Sequence, residues 1–334
     1  MEKKFSVVYL RSFATLLIFL CHILLISGFE KSSMWLNVGV QIFFLMSAYL
    51  LTNKKLASFN EIKKFMIKRC KKVFISYWLY VIAISLVLLV IHRQPSLGDF
   101  LIYFFGMKGF FGSANILGLG HLWFVTVILV CYFLTPILYY ISRIESKLKR
   151  ITNKVICVLV VIAIMVGLRC YSYSIYILSY MFAYFYVKHR KGSIKKIELF
   201  VWVCLAIVFS VLRLLIDSSG INTLSWYELY DGICVPFLRT FLGMGITVLF
   251  LYFEKFFSSI KKCHWIENFA DLSYEFYLTH QFIQLSLWEF VGWFRTPLGI
   301  GVWSALSFGL SWCSAYLLKR LTTEIEKSIR RKRI

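Results

Sequence analysis

The sequence predicts an all-α, polytopic integral membrane protein with about ten transmembrane helices, and three observations lead to that fold class. Of its 334 residues, 60% are hydrophobic and 16% are charged, whereas about a quarter of the residues in soluble domains are charged. Long apolar segments recur along the whole chain and are separated by short loops. Alternate loops are strongly basic, a pattern that is typical of chains threaded repeatedly through a bilayer.

Ten apolar segments are long enough to cross the bilayer as helices, because a helical span needs about 20 residues. These predicted spans cover residues 6–27, 35–52, 73–91, 121–142, 154–169, 172–188, 199–216, 232–252, 270–290 and 298–318. The outer segment between the third and fourth spans is long for a bare connection, so we expect it to lie in the interface or to fold back over the helices.

The distribution of Lys and Arg predicts the orientation. With the N-terminus inside, and with basic residues near span ends assigned to the adjoining loops, 30 of the 38 basic residues fall in cytoplasmic segments, six in outer loops and two within spans. This bias predicts that both termini are cytoplasmic and that the basic rim contacts anionic lipid headgroups. We therefore expect a ten-helix membrane domain over residues 1–320 and a basic cytoplasmic tail over residues 321–334.

The net charge of +22 would suit nucleic acid if the basic residues formed one patch. They lie in loops between apolar segments, so we expect no nucleic-acid partner. Nine cysteines are scattered without a Cys-x-x-Cys pair and fall mostly inside apolar segments, as buried small hydrophobic residues do. We expect no metal ion.

The first span carries two ionisable side chains, Arg11 and His22. Such groups are costly within a bilayer, so they need a partner or a function. Their separation is close to three helical turns, which puts them on one helix face about 16 Å apart along the axis. Arg11 could simply reach the headgroups and His22 could bond between helices. Alternatively, this face offers a fixed cation and a titratable base.

A basic segment, residues 53–72, joins the second span to the third. Apolar residues recur at helical spacing among its lysines, which predicts an interfacial amphipathic helix ahead of the third span. Arg69 and Lys72 at its end either anchor that span at the headgroups or bind an anionic ligand such as a phosphate.

Further polar residues lie within or at the ends of later spans. His121 and Trp123 open the fourth span, and Tyr277 and His280 are i,i+3 neighbours in the ninth. Helix packing, capping and interface anchoring are their ordinary roles.

Five segments, in this order, resemble the acyltransferase 3 family of membrane acyltransferases. The matching segments are Arg11 to His22 (the R-x10-H signature), residues 40–51 (VQIFFLMSAYLL, a phenylalanine-rich second helix with Ser47), Arg69 to Trp78 (a basic start of the third helix), residues 121–124 (HLWF) and residues 272–280 (LSYEFYLTH). Two positions depart from the family pattern: Ala48 stands where the family usually has Gly, and Ile75 where many members have Pro.

The resemblance implies an O-acyltransferase in a bacterial cytoplasmic membrane. The family typically moves an acyl group, often acetyl from acetyl-CoA, to hydroxyls of exported glycans such as capsule, O-antigen or cell-wall polysaccharide, or of their lipid-linked precursors. It implies that His22 and Arg11 are catalytic. The implied substrate-binding residues are Arg69, Lys72, Ser47, His121, Trp123, Tyr277 and His280.

Acyl transfer to a sugar hydroxyl needs a base for the hydroxyl proton, and neutral imidazole suits this at neutral pH. We therefore expect His22 to be the base. Arg11 stays protonated, and its planar donor fork suits a phosphate of CoA. The expected partners are acyl-CoA, a glycan or glycolipid acceptor and membrane lipids. Direct transfer and a covalent acyl-enzyme both fit the sequence, and the oligomeric state is left open.

The alternative from another class is a transporter or flippase for lipid-linked glycan. It would explain ten spans and charge within the membrane. Such folds often contain inverted repeats and helices broken by Gly or Pro, and this chain has only four prolines and no evident repeat. A scaffold without chemistry would leave Arg11 and His22 on one face unexplained.

Overall fold

The computed structural model describes residues 4–190, 192–219, 227, 230–260, 263–290 and 296–331. All regular structure within these ranges is helical, which confirms the predicted all-α class. Eight helical segments there are long and apolar enough to cross a membrane. The protein is therefore a polytopic membrane protein.

The helices follow the predicted spans closely. Their bounds are α1 Phe5–Ile26, α2 Glu30–Leu36, α3 Val38–Leu51, α4 Phe59–Val90, α5 Leu97–Phe104, α6 Trp123–Ser142, α7 Lys147–Gly167, α8 Tyr171–His189, α9 Lys196–Ser218, α10 Val235–Tyr252, α11 Glu254–Ser259, α12 His264–Phe290 and α13 Pro297–Arg331. A 3₁₀ turn, Gly120–Leu122, precedes α6, and a π-helical turn, Tyr230–Cys234, precedes α10.

Two of the ten predicted spans form helices that are not among the eight apolar segments. They are the sixth span, in α8, and the ninth, in α12. Both carry many polar groups; α12, for example, begins with HWIENFADLSYEF. Helices of this composition are more polar than a lipid-facing span, and much of their polar surface is buried within the protein.

The helix predicted ahead of the third span is present, and it is continuous with that span. A single helix, α4, runs without a break over 32 residues from Phe59 to Val90. No Gly or Pro interrupts this segment, and Ile75 in place of Pro lets the backbone hydrogen bonds continue. At 1.5 Å per residue, α4 is about 48 Å long, so its basic first turns extend beyond a hydrocarbon core of about 30 Å.

The last helix is also longer than its predicted span. α13 covers 35 residues, and the segment predicted as a basic tail continues it as far as Arg331. Residues 332–334 of that tail lie outside the described ranges.

The chain divides into two compact units. Unit 1 contains Met1–Ala14, Asn37–Met66 and Val127–Cys263, and unit 2 contains Thr15–Leu36, Ile67–Thr126 and His264–Ile334. In unit 1, α9 and α10 pack so closely that a Cβ added to Gly245 would lie 2.7 Å from the Cβ of Ala206. Glycine is therefore required at this helix crossing.

Unit 2 has an aromatic core in which α12 packs against α13 and against the second half of α1. The core residues are Phe19, Ile23, Phe269, Phe276, Trp303 and Ala315. Gln284 reinforces this contact, because its side-chain Nε2 donates to the backbone carbonyl of Phe19 at 3.2 Å and its backbone carbonyl accepts from Trp303 Nε1 at 3.1 Å.

The long segment between the third and fourth spans packs against helices of unit 2, as one of the two predicted arrangements requires. Lys108, only 9% exposed, donates from Nζ to the carbonyls of Gly112 and Ala114. Burial lowers the pKa of this ammonium, and the carboxylate of Asp99 acts in the opposite direction. Gly118, with φ of +75°, lies against α12, where an added Cβ would be 2.8 Å from the Cα of Phe282. This close approach seats the 3₁₀ turn beside α12.

Candidate active site

Three histidines from distant parts of the chain converge in unit 2. His22 comes from α1, His121 from the 3₁₀ turn before α6 and His280 from α12. The ring centroids of His22 and His280 are 5.1 Å apart, as are those of His121 and His280, and those of His22 and His121 are 6.2 Å apart. We call these three side chains the histidine cluster.

Gln281, which the sequence analysis did not single out, connects two members of the cluster. Its Oε1 accepts hydrogen bonds from the backbone N–H of His121, at 3.0 Å, and from the ring Nδ1 of His121. Its Nε2 donates to Nδ1 of His22 at 3.4 Å. The only signal in the sequence is a second polar residue directly after His280 in a mostly apolar stretch.

His121 also joins the 3₁₀ turn to α12. Its Nε2 lies 2.9 Å from the carbonyl oxygen of Tyr277 and 3.2 Å from that of Leu278. In return, the hydroxyl of Tyr277 donates to the backbone carbonyl of His121. Both ring nitrogens of His121 therefore have protein partners, and the side chain fixes the start of α6 against α12.

The hydrogen bonds indicate which ring nitrogens carry lone pairs. Nδ1 of His280 lies 2.8 Å from the carbonyl oxygen of Tyr277, which can only accept, so Nδ1 carries the proton and Nε2 is basic. That Nε2 is buried and has no hydrogen-bond partner within the described ranges. Because Gln281 donates to Nδ1 of His22, the lone pair of His22 lies on Nδ1.

The three rings differ in accessibility. His121 is 3% exposed and His280 is 1% exposed, whereas His22 is half-buried. Tyr277 beside them is also buried. His22 is therefore the most exposed member of the cluster.

The structure brings together four of the nine predicted site residues, namely His22, His121, Tyr277 and His280. Trp123 follows His121 by two positions as the first residue of α6 and is half-buried. Arg69 is half-buried and Lys72 is exposed, both on α4 in unit 2.

Arg11 and Ser47, the other two predicted residues, belong to unit 1. Both are half-buried, on α1 and α3 respectively. The helix that carries Arg11 is continuous with the one that carries His22, since α1 runs unbroken over 22 residues. The predicted single helix for this pair is thus confirmed.

Lys72 lines a groove in unit 2 that has a volume of about 320 Å³. The groove lies between α4 and α13, and its lining residues are Lys68, Lys71, Lys72, Ile75, Lys319, Glu326 and Ile329. Within the described ranges, no group of three or more His, Cys, Asp or Glu side chains is arranged to hold a metal ion.

A family model described as an acyltransferase domain matches residues 5–318 of the chain. The chain belongs to the acyltransferase 3 family. No curated protein and no solved structure matches it. The part of the chain that the family model matches begins at the first residue of α1 and includes α12, so it contains every member of the histidine cluster.

Family membership assigns the reaction class. The protein is a membrane acyltransferase that takes an acyl group from a donor and gives it to an acceptor. This assignment favours acyl transfer over the transporter and scaffold alternatives. In this acyltransferase, the histidine cluster provides basic nitrogens within a largely buried polar site. A positioned basic nitrogen is what removal of a proton from an acceptor hydroxyl requires.

Proposed function

We propose that this acyltransferase is an O-acetyltransferase of the bacterial cytoplasmic membrane. It takes acetyl from acetyl-CoA and transfers it to a hydroxyl of a surface polysaccharide, such as capsule, O-antigen or cell-wall glycan, or of its lipid-linked precursor. The family resemblance supports these substrate classes. The observation that carries the chemistry is the accessibility of His22, whose lone pair lies on Nδ1 beside two buried histidines.

In the proposed reaction, Nδ1 of His22 accepts the proton of the acceptor hydroxyl as its oxygen attacks the thioester carbonyl carbon. The tetrahedral intermediate then collapses, the carbon–sulfur bond breaks and the new ester is released. The CoA thiolate leaves and takes the proton from His22. The 3.4 Å contact from Gln281 is long for a hydrogen bond, so an acceptor hydroxyl can replace it at Nδ1.

The other residues of the cluster have positioning roles in this proposal. Gln281 orients the rings of His22 and His121 together, and His121 with Tyr277 holds the start of α6 against α12. His280 supplies a second buried basic nitrogen next to His22. Such support keeps a base within the narrow range of positions that acyl transfer needs.

The remaining predicted residues are assigned to substrates. Arg69 and Lys72, on the basic part of α4, bind phosphates of acetyl-CoA. Arg11 has a bidentate donor fork that suits an anionic group of a substrate. Trp123 and Ser47 contact the acyl chain or the glycan acceptor. Aromatic rings such as that of Trp123 provide flat apolar surface with a polar edge, which suits the faces of sugar rings.

The decisive experiment compares surface-glycan O-acetylation, by NMR, in cells that express the wild-type chain, His22→Ala or no chain, with expression verified. We expect ester acetyl signals with the wild type alone. His264→Ala is the matched control, because His264 is an exposed histidine at the start of α12 and lies outside the cluster. It should keep wild-type acetylation.

Three results would reject the proposal in whole or in part. Acetyl esters that persist without the chain while glycan export fails would favour the flippase alternative. Wild-type levels of ester in His22→Ala cells would remove His22 as the base. If no sample contains an ester, the acetyl group or the acceptor class is wrong, and purified protein with labelled acyl-CoA of other chain lengths would identify the correct donor.

A further inference from the structure

The groove between α4 and α13 concentrates positive charge in a concave site. Lys68, Lys71 and Lys72 line its α4 wall, and Lys319 lies on the α13 wall. The lining contains one acid, Glu326, so its net charge is three positive. Lysines at i, i+3 and i+4 lie on one helix face, so they concentrate positive charge on that wall of the groove.

Beneath this groove lies a carboxylate that the histidine cluster does not use. Glu275 of α12 is 2% exposed. Its Oε1 accepts hydrogen bonds from Ser76 Oγ on α4, at 3.0 Å, and from Lys319 Nζ on α13, at 3.2 Å. Its Oε2 is buried without a hydrogen-bond partner in the described part of the chain. Glu275 thus connects the two walls of the groove to α12.

A buried carboxylate destabilises a protein unless a cation and hydrogen bonds compensate it. Here the compensating cation is Lys319, whose side chain is still 42% exposed. An ammonium group has three N–H donors, and Glu275 uses one of them. The ion pair therefore holds Lys319 at a fixed place on the groove wall with donors left for a ligand.

We infer that this groove binds phosphate groups of the CoA donor, and that Glu275 acts as a positioning residue for Lys319. The inference rests on the proposed function for the identity of the donor. Lysine ammonium groups bind phosphates as point charges, and the volume of about 320 Å³ is at the lower end of the range for ligand pockets. The groove accordingly takes the phosphorylated part of the donor, and the acyl end lies elsewhere.

Anionic lipid headgroups offer the same phosphate chemistry, and a basic rim commonly contacts them. Two features favour the donor: the site is concave, and one of its lysines is fixed by a buried carboxylate on the helix that also carries His280. Headgroup contacts on a basic helix require neither feature.

The test uses the full chain in nanodiscs of phosphatidylcholine alone, so that no anionic lipid competes. Kinetics are compared for wild type, Lys319→Gln and Glu275→Gln with acetyl-CoA and with S-acetylpantetheine, a thioester that lacks phosphates. We expect Lys319→Gln to raise KM for acetyl-CoA about tenfold with little change in kcat, and to leave KM for S-acetylpantetheine unchanged. Glu275→Gln should raise KM for acetyl-CoA in the same selective way.

Lys327→Gln is the matched control, because Lys327 is an exposed lysine of α13 that pairs with Glu324 and does not line the groove. Equal losses for both donors in Lys319→Gln would indicate a purely structural role and overturn the inference. Lys319→Gln could also leave KM for acetyl-CoA unchanged, while added phosphatidylglycerol activates wild type but not this variant. That result would assign the groove to lipid headgroups and would also overturn the inference.

A binding measurement separates this inference from the proposed function. Adenosine 3′,5′-bisphosphate is titrated calorimetrically into wild type, Lys319→Gln and Lys319→Arg. Binding that Lys319→Gln loses and Lys319→Arg retains supports the groove even if no acetyl transfer is detected. If wild type transfers acetyl from acetyl-CoA but does not bind adenosine 3′,5′-bisphosphate, the groove assignment is overturned and the proposed function is left intact.

Discussion

Replacing Gln281 by Leu should disable the histidine cluster without removing any histidine. The change deletes the acceptor for the backbone N–H and the ring Nδ1 of His121, and also the donor to Nδ1 of His22. Leucine is apolar and has a similar volume. The loss is therefore confined to the hydrogen bonds.

The expected magnitude follows from these contacts. Each buried polar group of His121 that loses its partner costs about 1–3 kcal/mol, so Gln281→Leu should lower the free energy of unfolding by about 2–6 kcal/mol. A catalytic group displaced by about 1 Å can lose about 10²-fold in rate, so we expect a similar fall in kcat. Gln281→Glu keeps an acceptor for His121 but loses the donor to His22. It should lose less stability than Gln281→Leu, because His121 keeps its acceptor, and it should still lose kcat.

The assay is acetyl transfer by purified protein together with thermal unfolding in the same detergent or nanodisc. The positioning role predicts that both variants lose rate and that Gln281→Leu loses more stability than Gln281→Glu. Full activity in Gln281→Glu would show that the contact to His22 has no catalytic importance. Wild-type kcat in a folded Gln281→Leu protein would refute the role of Gln281 altogether.

Two further substitutions test the rest of the site. Gly118→Ala should lower the free energy of unfolding by about 1–3 kcal/mol, because the φ of this residue is +75° and the added Cβ would clash with Phe282. Thermal unfolding measures this loss, and unchanged stability would contradict the close approach of the 3₁₀ turn to α12. His280→Asn keeps a donor for the carbonyl of Tyr277 and removes the basic Nε2. If that nitrogen assists His22, kcat should fall by about tenfold or more, and Tm should stay near that of wild type. An unchanged kcat would leave His280 with a packing role only.

Local sequence signals were sufficient for the fold class and for the spans. Apolar segment length is a property of neighbouring residues, and so is the three-turn spacing of Arg11 and His22 on what is indeed one helix, α1. The continuity of α4 could also have been predicted. The absence of Gly and Pro between Phe59 and Val90 favours one helix, but the change from basic to apolar composition was interpreted as a boundary.

The composition of the site depends on contacts between residues far apart in the chain. Nothing in a single sequence indicates that α12 places Gln281 between His22 and His121, because this requires the packing of three separate segments. Glu275 illustrates the same limit. Its ion pair with Lys319 depends on how α13 packs against α12.

The distribution of polar groups along α12 connects the two proposals. His280 and Gln281 contribute to the histidine cluster, and Glu275 lies more than one helical turn earlier, beneath the lysine-lined groove. One rigid helix thus carries the residues that we assign to proton transfer and to donor positioning. Rigid elements hold reacting groups more accurately than loops do. This explains why α12 retains buried ionisable side chains that would destabilise an ordinary membrane span.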